Sequence, residues 1–173
     1  IFSQQKVNIN NLVEYGEKKF HQDHDKPYTG MVFDIYKSNG QKILEGFYRN
    51  GIKDGEWTYY YENGQDSLNI KIVDDKEYLM NYWDTNGQLL INSGNGKIIT
   101  KNFLGDVWSE GRLDTENIYK DGLQIQYIQY WYDLNDKIIK KNTFKGEIKD
   151  EEQIYYNENG QIEKTENYKD GKL

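Results

Sequence analysis

The chain has no cysteine, one proline, two histidines and two methionines among its 173 residues. Without cysteine it has neither a disulfide framework nor a thiolate metal site, and that absence suits cytosol and periplasm alike. Proline is what a paired strand tolerates least, and Pro27 stands outside the run of strands inferred below. No apolar run approaches the ~18 residues that cross a bilayer as a helix. Basic residues are outnumbered, 22 Lys and Arg against 29 Asp and Glu, and are scattered, leaving a net charge of -7. A phosphate backbone or an anionic membrane surface is repelled on average, so the expectation is no nucleic acid and no membrane insertion. The sequence opens on Ile1 rather than Met, which predicts a trimmed N-terminus whose targeting segment, if any, is gone. Exported, periplasmic and cytoplasmic locations all stay open.

What is abundant is aromatic. Hydrophobic residues make up only 36% of the chain and charged residues 29%, yet aromatics reach 15%, with 16 Tyr and 4 Trp. A disordered chain of this polarity is poor in rings, so the composition predicts an ordered protein with a thin core built from them.

The rings recur in phase with turns. Asn-Gly-Gln stands at residues 39–41, 63–65, 86–88 and 159–161, with degenerate copies at Glu110-Gly111-Arg112 and Asn135-Asp136-Lys137. The central positions are 40, 64, 87, 111, 136 and 160, a period near 24 over six copies. A second series lies between them, at Asn50-Gly51, Asp74-Asp75, Asn95-Gly96, Asp121-Gly122, Lys145-Gly146 and Asp170-Gly171. Each unit therefore holds two strand-length segments and two turns, whose residues accept positive φ at low cost. Four residues before the first turn stand Tyr36, Tyr60, Trp83, Val107, Tyr132 and Tyr156; five before it stand Ile35, Tyr59, Tyr82, Asp106, Trp131 and Tyr155. Neighbouring strand positions point to opposite faces, so these two columns are expected on opposite sides of a sheet.

The pattern predicts an all-β fold: an elongated antiparallel meander of ~24-residue hairpin repeats, a single-layer twisted sheet of about 12–14 strands. Residues 1–25 are expected as an N-terminal cap or short hairpin in which Val7, Ile9, Leu12 and Val13 cover the first sheet edge. Residues 26–173 form the array. The unit near 92–117 is irregular, because the Gly-x-Trp element is missing and the turns are spaced more widely, which predicts a bulge or inserted loop there.

The stretches "EGFYRNGIKDGEWTYYYENGQ" (residues 45–65) and "YYNENGQIEKTENYKDGKL" (155–173) resemble the MORN-repeat variant of the bacterial group called YwqK-family antitoxins. The shared pattern is an aromatic, Asn-Gly or Asp-Gly, Gly-x-Trp with Tyr-Tyr, then Asn-Gly-Gln. "KPYTGMVFDIYKSNGQ" (26–41) is similar to the opening motif of that group. The resemblance implies a repeat fold and a protein partner rather than chemistry. If that partner is a toxin, the acidic surface favours a basic one through steering.

Candidate contacts follow from the columns. Tyr59, Tyr60, Trp83, Trp131 and Tyr132 belong to ladders that hold the sheet and offer rings on any uncovered face. Trp57 stands where other units carry Phe33, Met80, Gln129 and Gln153; a column that accepts Gln reads as lying outside the core. Trp57 and Tyr61 are therefore the expected contacts. His21, Asp23, His24 and Asp25 collect both histidines with two carboxylates and have the chemistry of a divalent-metal site, but no distant third His closes a tetrahedron, and no metal or cofactor is expected.

No Ser sits in a Gly-x-Ser-x-Gly elbow, and Asp74-Asp75 and Glu151-Glu152 fall at turns where solvated charge is the ordinary use. Gly94-Asn95-Gly96 is half of a dinucleotide fingerprint and reads as a turn. The reading is a non-enzymatic module for protein–protein interaction. The alternative is a cell-wall or glycan-binding module, since "DGEWTYYYENGQ" resembles the aromatic cages of wall-binding repeats.

Overall fold

A computed structural model describes residues 6–22, 24–103 and 112–173. Strand follows strand with no α-helix among the described residues, and fourteen strands belong to one sheet that is not closed into a barrel. The chain divides into two compact units, Ile1–Gly94 with Asp121–Leu123, and Asn95–Lys120 with Gln124–Leu173.

The first unit begins with β1 (Val7–Asn8), a 3-10 turn at Ile9–Asn11, and the hairpin of β2 (Leu12–Tyr15) and β3 (Lys18–His21). The repeat strands follow as β4 (Gly30–Ile35), β5 (Lys42–Arg49), β6 (Ile52–Tyr60), β7 (Asp66–Val73), β8 (Lys76–Trp83) and β9 (Leu89–Asn92). Each pairs antiparallel with the next, while β1 adds to β4 in parallel. The N-terminal segment is fastened by backbone bonds, Lys19 N–H to the Gly51 carbonyl at 2.9 Å and Gly51 N–H to the Tyr28 carbonyl at 2.7 Å. It buries Leu12 with Val32, Tyr48, Trp57, Ile70 and Ile72, and Val7, Ile9, Leu44, Tyr59 and Leu68 pack around that cluster.

The second unit holds β10 (Asn95–Phe103), β11 (Arg112–Lys120), β12 (Leu123–Tyr132), β13 (Ile138–Lys145), the short β14 (Ile148–Lys149), β15 (Glu151–Tyr156) and β16 (Ile162–Tyr168). Its buried residues are mostly polar: Asp114, Asn142, Thr143 and Gln153, with Ile154 beside them. Rings and ion pairs supply the cohesion. Tyr127 stacks on Phe144 at 4.6 Å, and the Arg112 guanidinium lies 4.1 Å over Tyr132 while pairing with Asp114 at 2.9 Å and Asp136 at 2.7 Å.

The two turn series are physically different. In the second series both central residues have positive φ at Asn50-Gly51, Asp74-Asp75 and Asp121-Gly122, the two-residue turn whose twist matches its strands. In the first series only the last residue is left-handed, at Gly40, Gly64, Gly87, Asp136 and Gly160. There a wider turn leads into a bulge one step along: Tyr59 faces Leu68 and Tyr60 faces Asp66, leaving Ser67 unpaired. The same slip recurs at Ile43, Leu90, Ile139 and Glu163.

One expected turn moves. The tight turn after β9 is Ser93-Gly94, not Asn95-Gly96, which starts β10. Gly94 is required there because a Cβ would lie 2.4 Å from the Gly122 backbone nitrogen. The column positions Asp106 and Val107 and the turn at Gly111 lie outside the described residues. Next to that segment, β10 and β11 pair without a register shift from Gly96 with Tyr119 to Phe103 with Arg112.

Candidate functional site

Trp57 corrects the sequence reading. It has 0% of its surface exposed, and Gln153, in the same column, also has 0%. The column that accepts Gln thus reaches full burial at two positions, while Phe33, Met80 and Gln129 are half-buried. The cause is a bulge: between the pairs Glu45 with Thr58 and Phe47 with Asp54, the single residue Gly46 faces Gly55, Glu56 and Trp57. Two extra residues, with Gly55 at φ 69, swing the indole flat over Gly46, where a Cβ would come within 2.2 Å of its Cδ2. Tyr48 meets the indole edge-on at 5.2 Å and the Lys53 ammonium lies 4.8 Å over it. Trp57 holds the sheet together and presents no contact surface.

The remaining expected contacts are half-buried. Tyr59 packs on the Trp57 cluster and accepts a hydrogen bond from Lys53 Nζ at 3.2 Å. Tyr60, on the opposite face, donates to Glu45 at 2.9 Å, and Tyr61 donates to the Trp83 carbonyl at 2.6 Å. Trp131 and Tyr132 lie in the second unit, apart from the other named rings in the first.

Electrostatics concentrate at carboxylates that no motif or spacing singles out. Glu45 takes Lys42 at 2.8 Å and Lys6 at 3.2 Å, and the Lys42 ammonium holds its carboxyl down at about 2. Tyr60 is pushed up to about 12, by burial first and then by Glu45. In the second unit burial, then Glu116, pushes Tyr130 to about 12.

A further cluster lies on β13 to β16. Lys140 and Lys164 sit 5.1 and 5.7 Å over the Tyr155 ring, and Lys149 sits 4.9 Å over Tyr168. Glu166 accepts from Tyr155 at 3.1 Å and pairs with Lys164 at 2.6 Å, and Lys164 keeps its carboxyl below the usual range. A sequence signal existed: Lys164, Glu166 and Tyr168 alternate, which places all three on one strand face.

The histidines do meet. His21 and His24 are edge-on at 4.9 Å, and His21 Nδ1 contacts the Gln22 carbonyl at 2.8 Å. They line an open depression with Asp25, Pro27 and Tyr28. Asp23 lies outside the described residues. Among the described residues no three metal-ligating side chains gather, and no helix is long and apolar enough to cross a membrane.

No protein-family model matches the chain, and neither a curated protein nor a solved structure matches it.

Proposed function

We propose that this chain is a non-enzymatic β-repeat module that binds a partner protein, in the manner implied by its resemblance to the MORN-variant, YwqK-like antitoxin group. The observation that supports the reading is the N-terminal segment, in which a peptide laid across the repeat sheet buries Leu12 among Val32, Tyr48, Trp57, Ile70 and Ile72. A sheet that seats one peptide of its own is built to seat another chain, because its faces offer half-buried rings at low entropy cost. The glycan alternative leaned on Trp57, and an indole with no exposed surface offers nothing for a sugar to stack on.

The test is capture from an extract of the producing cells on the immobilised full chain, with cross-links mapped on both partners. The expected result is one soluble protein enriched in a fixed ratio and linked to sheet residues. Retention of wall fragments alone, or of nothing at low salt, would sink the reading.

A further inference from the structure

We propose that the surface of β13, β14, β15 and β16 carrying Lys140, Lys149 and Lys164 over Tyr155 and Tyr168 docks an acidic peptide segment of the partner protein. The proposal rests on the protein-binding reading above and names the chemistry of its contact.

The argument begins with equivalent positions in the two units. Aligned on the turns at Gly64 and Gly160, Leu44, Tyr59, Leu68, Ile70 and Ile72 correspond to Lys140, Tyr155, Lys164, Glu166 and Tyr168. In the first unit these positions are apolar and belong to, or pack against, the cluster that Leu12 of the N-terminal segment joins. This face of the repeat therefore receives a side chain from a segment outside the repeat strands. In the second unit the ring of the first column persists while its neighbours become charged. An apolar cover there would strand ammonium groups away from water with no partner for their charge.

The charge on the surface is unbalanced. Its three ammonium groups face two carboxylates that are both engaged, Glu166 by Lys164 and by the hydroxyls of Tyr155 and Tyr168, and Glu151, opposite Tyr168 in register, by Gln126 at 3.0 Å. Lys140 and Lys149 rest on rings and make no ion pair among the described residues. The floor is polar as well, since Gln153 opposes Glu166 in register and Asn142 lies buried with it. Carboxylates spaced along an extended segment would reach Lys140 and Lys149, while its stem packs against the two tyrosines. The chain as a whole carries -7, so this surface is a local reversal of sign. A partner that is basic overall yet carries an acidic segment satisfies both the long-range field and the local one.

The test uses the full chain and fluorescein-labelled peptides, one alternating Glu with Ala and one alternating Lys with Ala, followed by fluorescence anisotropy. Ionic strength is set at about 0.15 M, where a Debye length of about 8 Å screens the distant carboxylates. The Glu peptide is expected to bind, and Lys140→Gln with Lys149→Gln to weaken it about tenfold or more. Lys71→Gln, an exposed lysine on β7, should leave it unchanged, whereas Lys164→Gln, at an exposed lysine of the surface itself, should weaken it. The proposal is overturned if the Lys peptide binds as well, if the double variant binds the Glu peptide undiminished, or if phosphatidylserine vesicles bind where the Glu peptide does not. A captured partner retained equally by the double variant would leave the protein-binding function standing and remove this surface from it. Glu-peptide binding with no partner captured would do the reverse.

Discussion

The hairpins around Trp57 and around Gln153 share turns, register and bulge, yet their interiors are built from opposite chemistry. Between Lys141 with Ile154 and Phe144 with Lys149, Asn142 and Thr143 face residues 150–153, the same two-residue excess as at Trp57. Glu151 takes the left-handed conformation that Gly55 takes in the first unit. Where the first unit has the indole of Trp57 over Gly46, the second has Gln153 donating to the Thr143 carbonyl at 2.9 Å and to the Asp150 carbonyl at 3.3 Å. At the second bulge the Thr143 carbonyl also accepts from the Asp150 N–H at 3.0 Å. Gln153 adds its amide donors to the Thr143 and Asp150 carbonyls, and in the first unit the buried ring of Trp57 occupies the equivalent position. The repeat thus fixes a backbone shape, and the side chain beneath it is free to be a hydrophobic plug or an amide clamp.

That comparison predicts unequal costs. Trp57→Ala removes the largest buried ring from the only apolar cluster seen among the described residues, and should cost about 3–5 kcal/mol in urea unfolding. A loss under about 1 kcal/mol would mean that the N-terminal cap, not the indole, holds the unit. Gly46→Ala drives a Cβ into that indole and should cost about 1–3 kcal/mol, most of it recovered when combined with a smaller residue at position 57. Gln153→Leu keeps volume but removes both amide donations, leaving the Thr143 carbonyl with the Asp150 N–H alone and the Asp150 carbonyl without the amide, at about 1–3 kcal/mol. If Gln153→Leu proves neutral, the amide clamp is not what closes the second bulge.

The smallest effect is electrostatic. The Glu45 carboxyl is held near 2 when folded, so its ion pairs stabilise the fold above the ordinary carboxyl range and the gain disappears as pH falls from about 4.5 to about 2. Glu45→Gln should therefore flatten the stability profile over that window and cost no more than about 1 kcal/mol at neutral pH, because the site is partly solvated. Tyr60 works in the other direction. Its neutral form is favoured by the fold, so its contribution is present below about 10 and is lost as pH rises toward about 12. An unchanged acid limb in Glu45→Gln would assign that limb to other carboxylates.

Much of the fold was legible in the residues. The repeat of Asn-Gly-Gln and the alternate Asn-Gly and Asp-Gly pairs marked nearly every strand boundary, because a left-handed backbone position leaves a compositional trace. The shift from Asn95-Gly96 to Ser93-Gly94 was not legible, since both are acceptable turn pairs and the choice depends on Gly94 approaching Gly122. Of the candidate contacts, Tyr59 and Tyr60 fall on opposite faces as their alternation requires, whereas the burial of Trp57 defeats the rule that equates an accepted Gln with exposure. The lysines on β13 to β16 were scattered in sequence and come together only when three strands lie side by side.

By itself, then, the sequence determined the repeat period, the strands, the turn positions and the identity of the rings, all of which are local properties with a local chemical signature. Which column faces inward was decided by the tertiary structure. A period of two tells the faces apart only along an unbroken ladder, and two extra residues opposite Gly46 and opposite Asn142 re-aim Trp57 and Gln153 into the interior. Which face is apolar was decided there too, because the N-terminal segment covers the first unit's columns and their partners in the second unit carry charge.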